Sequence, residues 1–405
     1  MDPDLAALDE YLADAGYDGY LVDAPGSDAT QRYLSGFDAP DPFVTLYTPD
    51  STAVLVSALE YGRAKTESQA DDVSRLADYD YRSLAAKHGT HEAKARVVEA
   101  WLADRGVDAV ATPERFPLGS ADHLRERGIA VEPETADVVT EIRARKTPTE
   151  IEWIRATQRA NEAAMAAAND LLTAATVQRA AAVDDGESAA SPEDEVLVHD
   201  GEILTSERVK REIEATLLRN GCALDETIVA CGAAAADPHD RGSGPLRPDE
   251  PIIVDIFPRS KTTRYHADMT RTFVKGEPTE TIRQWFELTQ AAMDAAFDVL
   301  EPGATGRAVH DAVCDVYEDA GWPTLRSDST TGTGFIHSTG HGVGLEIHEL
   351  PRLSPDGGEL RPGQVVTVEP GLYDPAVGGM RLEDLVVVTE DGYENLTDYP
   401  FELTV

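Results

Sequence analysis

Apolar positions recur at helical spacing in DPDLAALDEYLADAG, and Gly16 follows the last of them, so this stretch is expected as a helix stopped by glycine. DGYLVD and TAVLVS are short apolar runs of strand length. EAKARVVEAWLADRG returns to helical spacing and ends at Gly106, and VDAVAT is again strand-like. Alternation of this kind over residues 1–140 predicts an α/β domain.

The pattern changes at Thr140, which places the start of a second domain at 141 and its end at 405. TEIRARKTPTEIEWIRATQRANEAAMAAANDLL begins with basic residues, sets Pro148 and Glu150 where a helix starts, and continues as a long alanine-rich helix. Residues 174–200 are acidic, rich in Ser and Ala, and without an apolar period, so a surface insertion is expected there. TSERVKREIEATLLRNG resumes a capped helix ending at Gly221. Residues 280–300 form another helix, and GRAVHDAVCDVYEDAG a further one stopped by Gly321. Helix, connection, helix and then strands thus occur twice, which predicts an α+β domain with pseudo-symmetric halves around one site.

Composition narrows the class. A length of 405 residues suits two domains, and 41% hydrophobic residues are enough for their cores. No stretch approaches the ~18 consecutive apolar residues of a membrane span. MDPDLAALDEYLAD is acidic where a secretory signal would be basic and then apolar, so a cytoplasmic location is expected. Cys222, Cys231 and Cys314 are odd in number and lack CxxC spacing, which argues against a disulfide framework or a thiolate metal site. Neither GxGxxG nor a Walker-type loop occurs, so nothing points to nucleotide binding.

Charge is the strongest global signal: 75 acidic against 35 basic residues give −40, and only seven of the basic residues are lysine. Nucleic acid and anionic membranes are therefore excluded as expected partners. That balance resembles proteins of a salt-accumulating, haloarchaeal cytosol, where the Debye length shrinks to ~3 Å at molar salt and self-repulsion is screened.

Three of the ten histidines fall within HSTGHGVGLEIHE, His337 to Glu349, among glycines that let a ligand approach the backbone. Partners for them lie elsewhere. Asp255 in PIIVDIF, Asp268 in YHADMTRTF, Glu369 in VVTVEPGLY and Glu383 in MRLEDLVVV all sit inside apolar, strand-like runs. A buried ionised carboxylate costs several kcal/mol (~3 or more) unless it is paired, protonated or bound to metal. Two divalent cations carry the charge that four carboxylates and a neutral His341 would balance, which favours a two-metal site. Strand parity puts Thr367 beside Glu369 and Arg381 beside Glu383, so Arg381 is expected to steady that carboxylate or a substrate carboxylate. A hairpin with its turn in PRSKTTR would direct Asp255 and Asp268 to one face.

The set VDIF, ADMTRTF, STGHGVGLEIHE, VEPGLY and RLED resembles the pita-bread metallopeptidase superfamily, in its Xaa-Pro branch of prolidases and aminopeptidases P. RARKTPTEIEWIR is similar to that branch's linker, and residues 1–140 resemble its creatinase-type N-terminal domain in layout. The resemblance implies a pita-bread fold for residues 141–405, a homodimer, and hydrolysis of small peptides at the bond before proline. It implies that Asp255 binds one metal, that Asp268 and Glu383 contribute to both, and that His341 and Glu369 complete the other. His239, His337 and His348 would then face substrate or transition state, with Glu369 as proton shuttle. A donor set of oxygens and one histidine suits manganese, cobalt or iron, and zinc also fits. The connection 256–267, between the two aspartates of DIFPRSKTTRYHAD, is about two residues longer than the family's usual one. His266 is expected as a strand-edge histidine. The alternatives are an ectoine-type or creatine-type amidohydrolase on the same scaffold, a metal-free peptide-binding relative, and a methionine aminopeptidase, which the N-terminal domain argues against.

Overall fold

The computed structural model describes residues 3–183, 191 and 194–405, and the chain divides into two compact units at Arg143/Ala144. In the first unit the helix before Gly16 runs Ala6–Ala15, and Gly16 closes it at a φ of 75°. The unit is built on a six-stranded sheet in the order Asp72–Arg75, Ser51–Val56, Phe43–Thr48, Gly19–Ala24, Ala109–Thr112, Ala130–Pro133. Phe43–Thr48 runs antiparallel to both its neighbours, and the other pairings are parallel. Helices Thr90–Ala103 and Leu118–Arg125 bury Val97, Trp101, Leu102 and Leu124 against Leu21, Leu55 and Val110. That apolar layer supplies the unit's driving force, since burial of each large side chain contributes ~1.5 to 3 kcal/mol.

The second unit holds the repeated scheme. Helices Pro148–Ala174 and Ser206–Arg219 pack together beside an antiparallel sheet of Thr227–Cys231, Ile252–Ile256 and Met269–Phe273, with Ile252–Ile256 central. Helices Glu280–Val299 and Gly306–Asp319 then pack together beside a five-stranded sheet. Its order is Glu349–Leu353, Gly340–Gly342, Val365–Val368, Asp384–Val388, Tyr393–Asn395. All four helices start on a threonine whose hydroxyl accepts a backbone N–H three residues on: Thr147, Thr205, Thr279 and Thr305. Each half therefore has its own core, one around Met165, Ile213 and Val254, the other around Trp285, Val313 and Val386.

The segment expected as a surface insertion is only partly so. Thr176–Arg179, Glu195–His199 and Glu202–Ile203 form a three-stranded sheet, and Val196, Leu197 and Val198 are buried. Leu197 packs with the helix-lined core of the first half. The apolar EVLV run, diluted by the acidic residues before it, was too short to register as a strand; residues 184–190, 192 and 193 lie outside the described residues. Among the described residues, no helix is long and apolar enough to cross a membrane.

Candidate metal centre

Both halves of the second unit deliver carboxylates to one place. Asp255 stands opposite Thr270 in the paired strands, and Asp268 immediately precedes Met269–Phe273. The intervening chain turns back through the bridge Arg259↔His266, while Arg259–Ser260 pairs with Cys222–Ala223. His341 is the centre of Gly340–Gly342, held so close to the next strand that a Cβ on Gly340 would lie 1.9 Å from the Thr367 carbonyl oxygen. Glu369 follows Val365–Val368, and its N–H donates to Thr339 O at 2.8 Å. Glu383 lies between Gly378–Arg381 and Asp384–Val388, and its N–H donates to Thr270 O at 3.1 Å, which ties the two halves together at the site.

Asp268, His341 and Glu383 each present one ligand atom, all within 4.8 Å of one another. His341 Nε2 also lies 3.5 Å from Glu369 Oε1 and 3.7 Å from Asp268 Oδ2. His341 Nδ1 is 3.1 Å from Gly342 O; a carbonyl only accepts, so Nδ1 carries the proton. Burial, and after it His348, lowers the His341 pKa to about 3, so the ring is neutral and Nε2 is bare. A lone pair facing carboxylate oxygens is repulsive unless a cation stands between them. Burial first, then repulsion from neighbouring carboxylates, raises Asp268 and Glu383 well above the ordinary range. Burial pushes Glu369 up to about 8, with Arg381 opposing and Asp255 adding to the rise. Asp255 Oδ1 and Asp268 Oδ1 are buried without a hydrogen-bond partner among the described residues. Four carboxylates, of which Asp255 is bonded to the Arg381 guanidinium, are the donor chemistry of a divalent-metal centre, and the residues fit one.

Arg381 departs from the expected pairing. It is 3% exposed, and its Nη2 donates to Asp255 Oδ2 at 2.6 Å, not to Glu383. Glu383 is already served by Thr270 Oγ1 at 2.7 Å, and the hairpin Gly371–Asp374/Gly378–Arg381 turns the guanidinium toward Asp255 and Tyr373.

The histidines separate by environment. His348 is exposed and meets His341 edge to face, ring centroids 4.3 Å apart. His337 was expected to face the peptide, yet both its ring nitrogens have protein partners. Nδ1 donates to Ser338 O at 2.7 Å, and Nε2 accepts from the Tyr373 hydroxyl at 2.9 Å. Only a face or edge of that ring can meet a peptide. His239 is exposed in the loop after Gly232–Ala236, its N–H donating to Asp237 Oδ1. That loop closes at Gly242, where a Cβ would fall 1.8 Å from Val229 O. His266 forms the strand-edge bridge to Arg259, and burial, then Arg259, lowers its pKa to about 4.

Sequence reasoning passed over Tyr373, whose hydroxyl accepts from Arg381 Nη1 at 2.9 Å while donating to His337. It also passed over the buried threonines: Thr367 Oγ1 receives the His341 N–H and donates to Glu369 Oε1 at 3.3 Å. A tyrosine or threonine in an apolar strand carries no signal beyond packing until its neighbours are known.

An α/β unit followed by a two-halved α+β unit that gathers acidic residues around one histidine has the makings of a metal-dependent hydrolase. Residues 152–390 match the model of metallopeptidase family M24, and residues 5–145 that of the creatinase/prolidase N-terminal domain. The chain is 32% identical over 377 residues to the Xaa-Pro dipeptidase of Pyrococcus furiosus, covering 92% of this chain and 91% of that one. In fold it is similar to an Xaa-Pro dipeptidase from Bacillus anthracis, with a TM-score of 0.78, 23% identity and 99% of both chains covered. It is similar also to an X-Pro aminopeptidase from Thermotoga maritima, with a TM-score of 0.76, 23% identity, and 96% and 98% covered. The chain belongs to metallopeptidase family M24.

Proposed function

We propose that this chain is a dinuclear-metal peptidase that cleaves the bond before proline in Xaa-Pro dipeptides or at the N-terminus of short peptides. The observation that carries the reading is the bare His341 Nε2 set among Asp268, Glu369 and Glu383, in a chain aligned over nearly its whole length with an enzyme named Xaa-Pro dipeptidase. Asp255, Asp268, His341, Glu369 and Glu383 are the residues that would hold the metal. Bound divalent metal, manganese by this reading, supplies Lewis-acid polarisation and activation of water.

The chain's own groups do the rest. Glu369 takes and returns the proton, its carboxylate oriented by Thr367 Oγ1. His348, exposed beside His341, donates a hydrogen bond to the oxyanion that develops on the scissile carbonyl. His239, exposed and near enough to His337 and His348 to act on both rings, orients the peptide, and His337, through Tyr373 and Arg381, keeps Asp255 in place. Proline lacks an N–H and fixes its own φ, so a site shaped for it needs no acceptor at that amide.

The reading also takes in a homodimer, carried over from the family resemblance, and a cytoplasmic location, expected from the sequence; light scattering on purified protein tests the first. Activity is tested by assaying Ala-Pro, Ala-Pro-Ala and Ala-Ala in high KCl, with added Mn²⁺ and after chelation. Metal-dependent release of alanine from the proline peptides, and not from Ala-Ala, is the expected result. Full activity after complete chelation, or no proline preference, overturns it.

A further inference from the structure

Lys146 and Glu349 stand 203 residues apart in sequence and meet as a buried ion pair, Lys146 Nζ donating to Glu349 Oε2 at 3.1 Å. Their side chains are 1% and 3% exposed. Neither belongs to the proposed donor set. A buried pair of this kind adds little net stability, because mutual attraction mainly offsets lost hydration. What it fixes is position.

Glu349 opens the strand Glu349–Leu353 and closes the turn of residues 343–348, whose last member is His348. The carboxylate forms the inside of that turn. Its Oε1 accepts the Glu346 N–H at 3.0 Å, and Oε2 lies where a Cβ on Gly344 would come within 2.3 Å of it. Gly344 N donates to Glu346 O at 3.0 Å, and Gly344 O accepts the His266 N–H at 2.8 Å. The ammonium is anchored in turn: Lys146 N donates to Gly363 O at 2.8 Å, and the Thr147 helix cap begins at the next residue. Loss of the Lys146 ammonium would weaken the hold on this carboxylate and, with it, on the turn it lines.

We infer that Lys146 is a positioning residue for His348, acting through Glu349. The kinetic part of this inference rests on the peptidase reading above. Lys146→Met keeps the stem and removes the charge. Its kcat on Ala-Pro is expected to fall roughly ten- to a hundredfold, with KM and bound metal within about twofold of wild type. In a His348→Ala background the same change is expected to add no further loss, because the group it positions is gone. Lys146→Met/Glu349→Gln removes both charges, so it regains the stability that burying Glu349 without Lys146 would forfeit, while kcat stays low. Where Lys146→Met does not fold, this pair takes its place in the cycle with His348→Ala. Losses that multiply in that cycle, metal lost from Lys146→Met, or kcat restored in the double variant each overturn the inference.

One readout is independent of turnover. The His348 Cε1–H proton resonance, assigned by its absence in His348→Ala, is expected to move in Lys146→Met, or in the double variant. A resonance that stays put refutes the positioning role. A wild type inactive on every Xaa-Pro peptide, in which that resonance still moves on substitution, refutes the peptidase reading alone.

Discussion

His341 and His348 share one stretch of chain, and their neighbours give them opposite work. The first has Nδ1 fixed by Gly342 O and turns a bare Nε2 toward carboxylates; the second is exposed, edge-on to the first ring, and outside the donor group. Replacing His348 with Ala is therefore expected to lower kcat by ~10² to 10³ while metal content is kept, the size of effect seen when an oxyanion donor is removed. Asp268→Ala, by contrast, should lose metal and activity together. Elemental analysis and Ala-Pro kinetics on the same preparations compare the two, and metal loss from His348→Ala would falsify the division. At this scale the proposed donors are legible in the sequence for a reason: an acidic residue inside an apolar strand is costly to bury, so Asp255, Asp268, Glu369 and Glu383 stand out against their surroundings. Tyr373, Thr270 and Thr367 did not, since each is ordinary in a strand. Lys146 and Glu349 lay inside recognised motifs, but only the fold shows that they touch across 203 residues. The Arg381 partner was misread because parity along one strand is blind to Asp255 on another.

Elements carry the site by how they begin and how closely they approach. Thr147 Oγ1 accepts the Glu150 N–H at 3.3 Å while Glu150 Oε2 accepts the Thr147 N–H at 2.7 Å, with Pro148 preset at the first helical position. Glu150 is also 1% exposed and bonded through Oε1 to the Tyr265 hydroxyl, so this cap holds the long helix to the connection that leads into Asp268. Thr147→Ala is expected to cost ~1 kcal/mol of unfolding free energy. Urea unfolding followed by tryptophan fluorescence reads it, and an unshifted midpoint would show that the cap does not anchor the helix. Capped and glycine-stopped helices are what the sequence displays best, and the helices ending before Gly16, Gly221 and Gly321 lie where their spacing puts them. Short strands fared worse: Asp72–Arg75 and Ala130–Pro133 have four residues each and no consistent alternation, and only their sheet neighbours make strands of them. EVLV after the acidic run belongs with these.

At the scale of the whole molecule, 75 carboxylates face 35 lysines and arginines, so at least 40 of them, the difference, have no cation of their own even if every pair were one to one. Pairing is less even than that. Arg326 alone reaches Asp311, Asp315 and Glu318, and Arg127 takes both Glu92 and Glu99, so the scarce cations are concentrated where acidic residues cluster. Most of the remaining charge among the described residues lies at the surface and opposes the compact state through self-repulsion. Screening decides how strongly, because exposed like charges lose most of their interaction beyond ~10 Å at 0.1 M salt and beyond ~3 Å at 1 M. We therefore propose that the fold requires salt, and the melting temperature is expected to rise steeply with KCl. Salting-out of apolar surface would also raise it, so the two causes must be separated. Under screening, KCl and NaCl act alike at equal ionic strength, most of the gain comes before ~1 M, and a non-ionic osmolyte gives little. Salting-out instead keeps growing with concentration and differs between salts. The proposed metal centre should respond less than the surface, since its carboxylates are enclosed. Calorimetry from ~0.1 M to ~3 M KCl makes the comparison, and a flat melting temperature across that range would remove the halophilic reading while leaving the peptidase assignment as it stands.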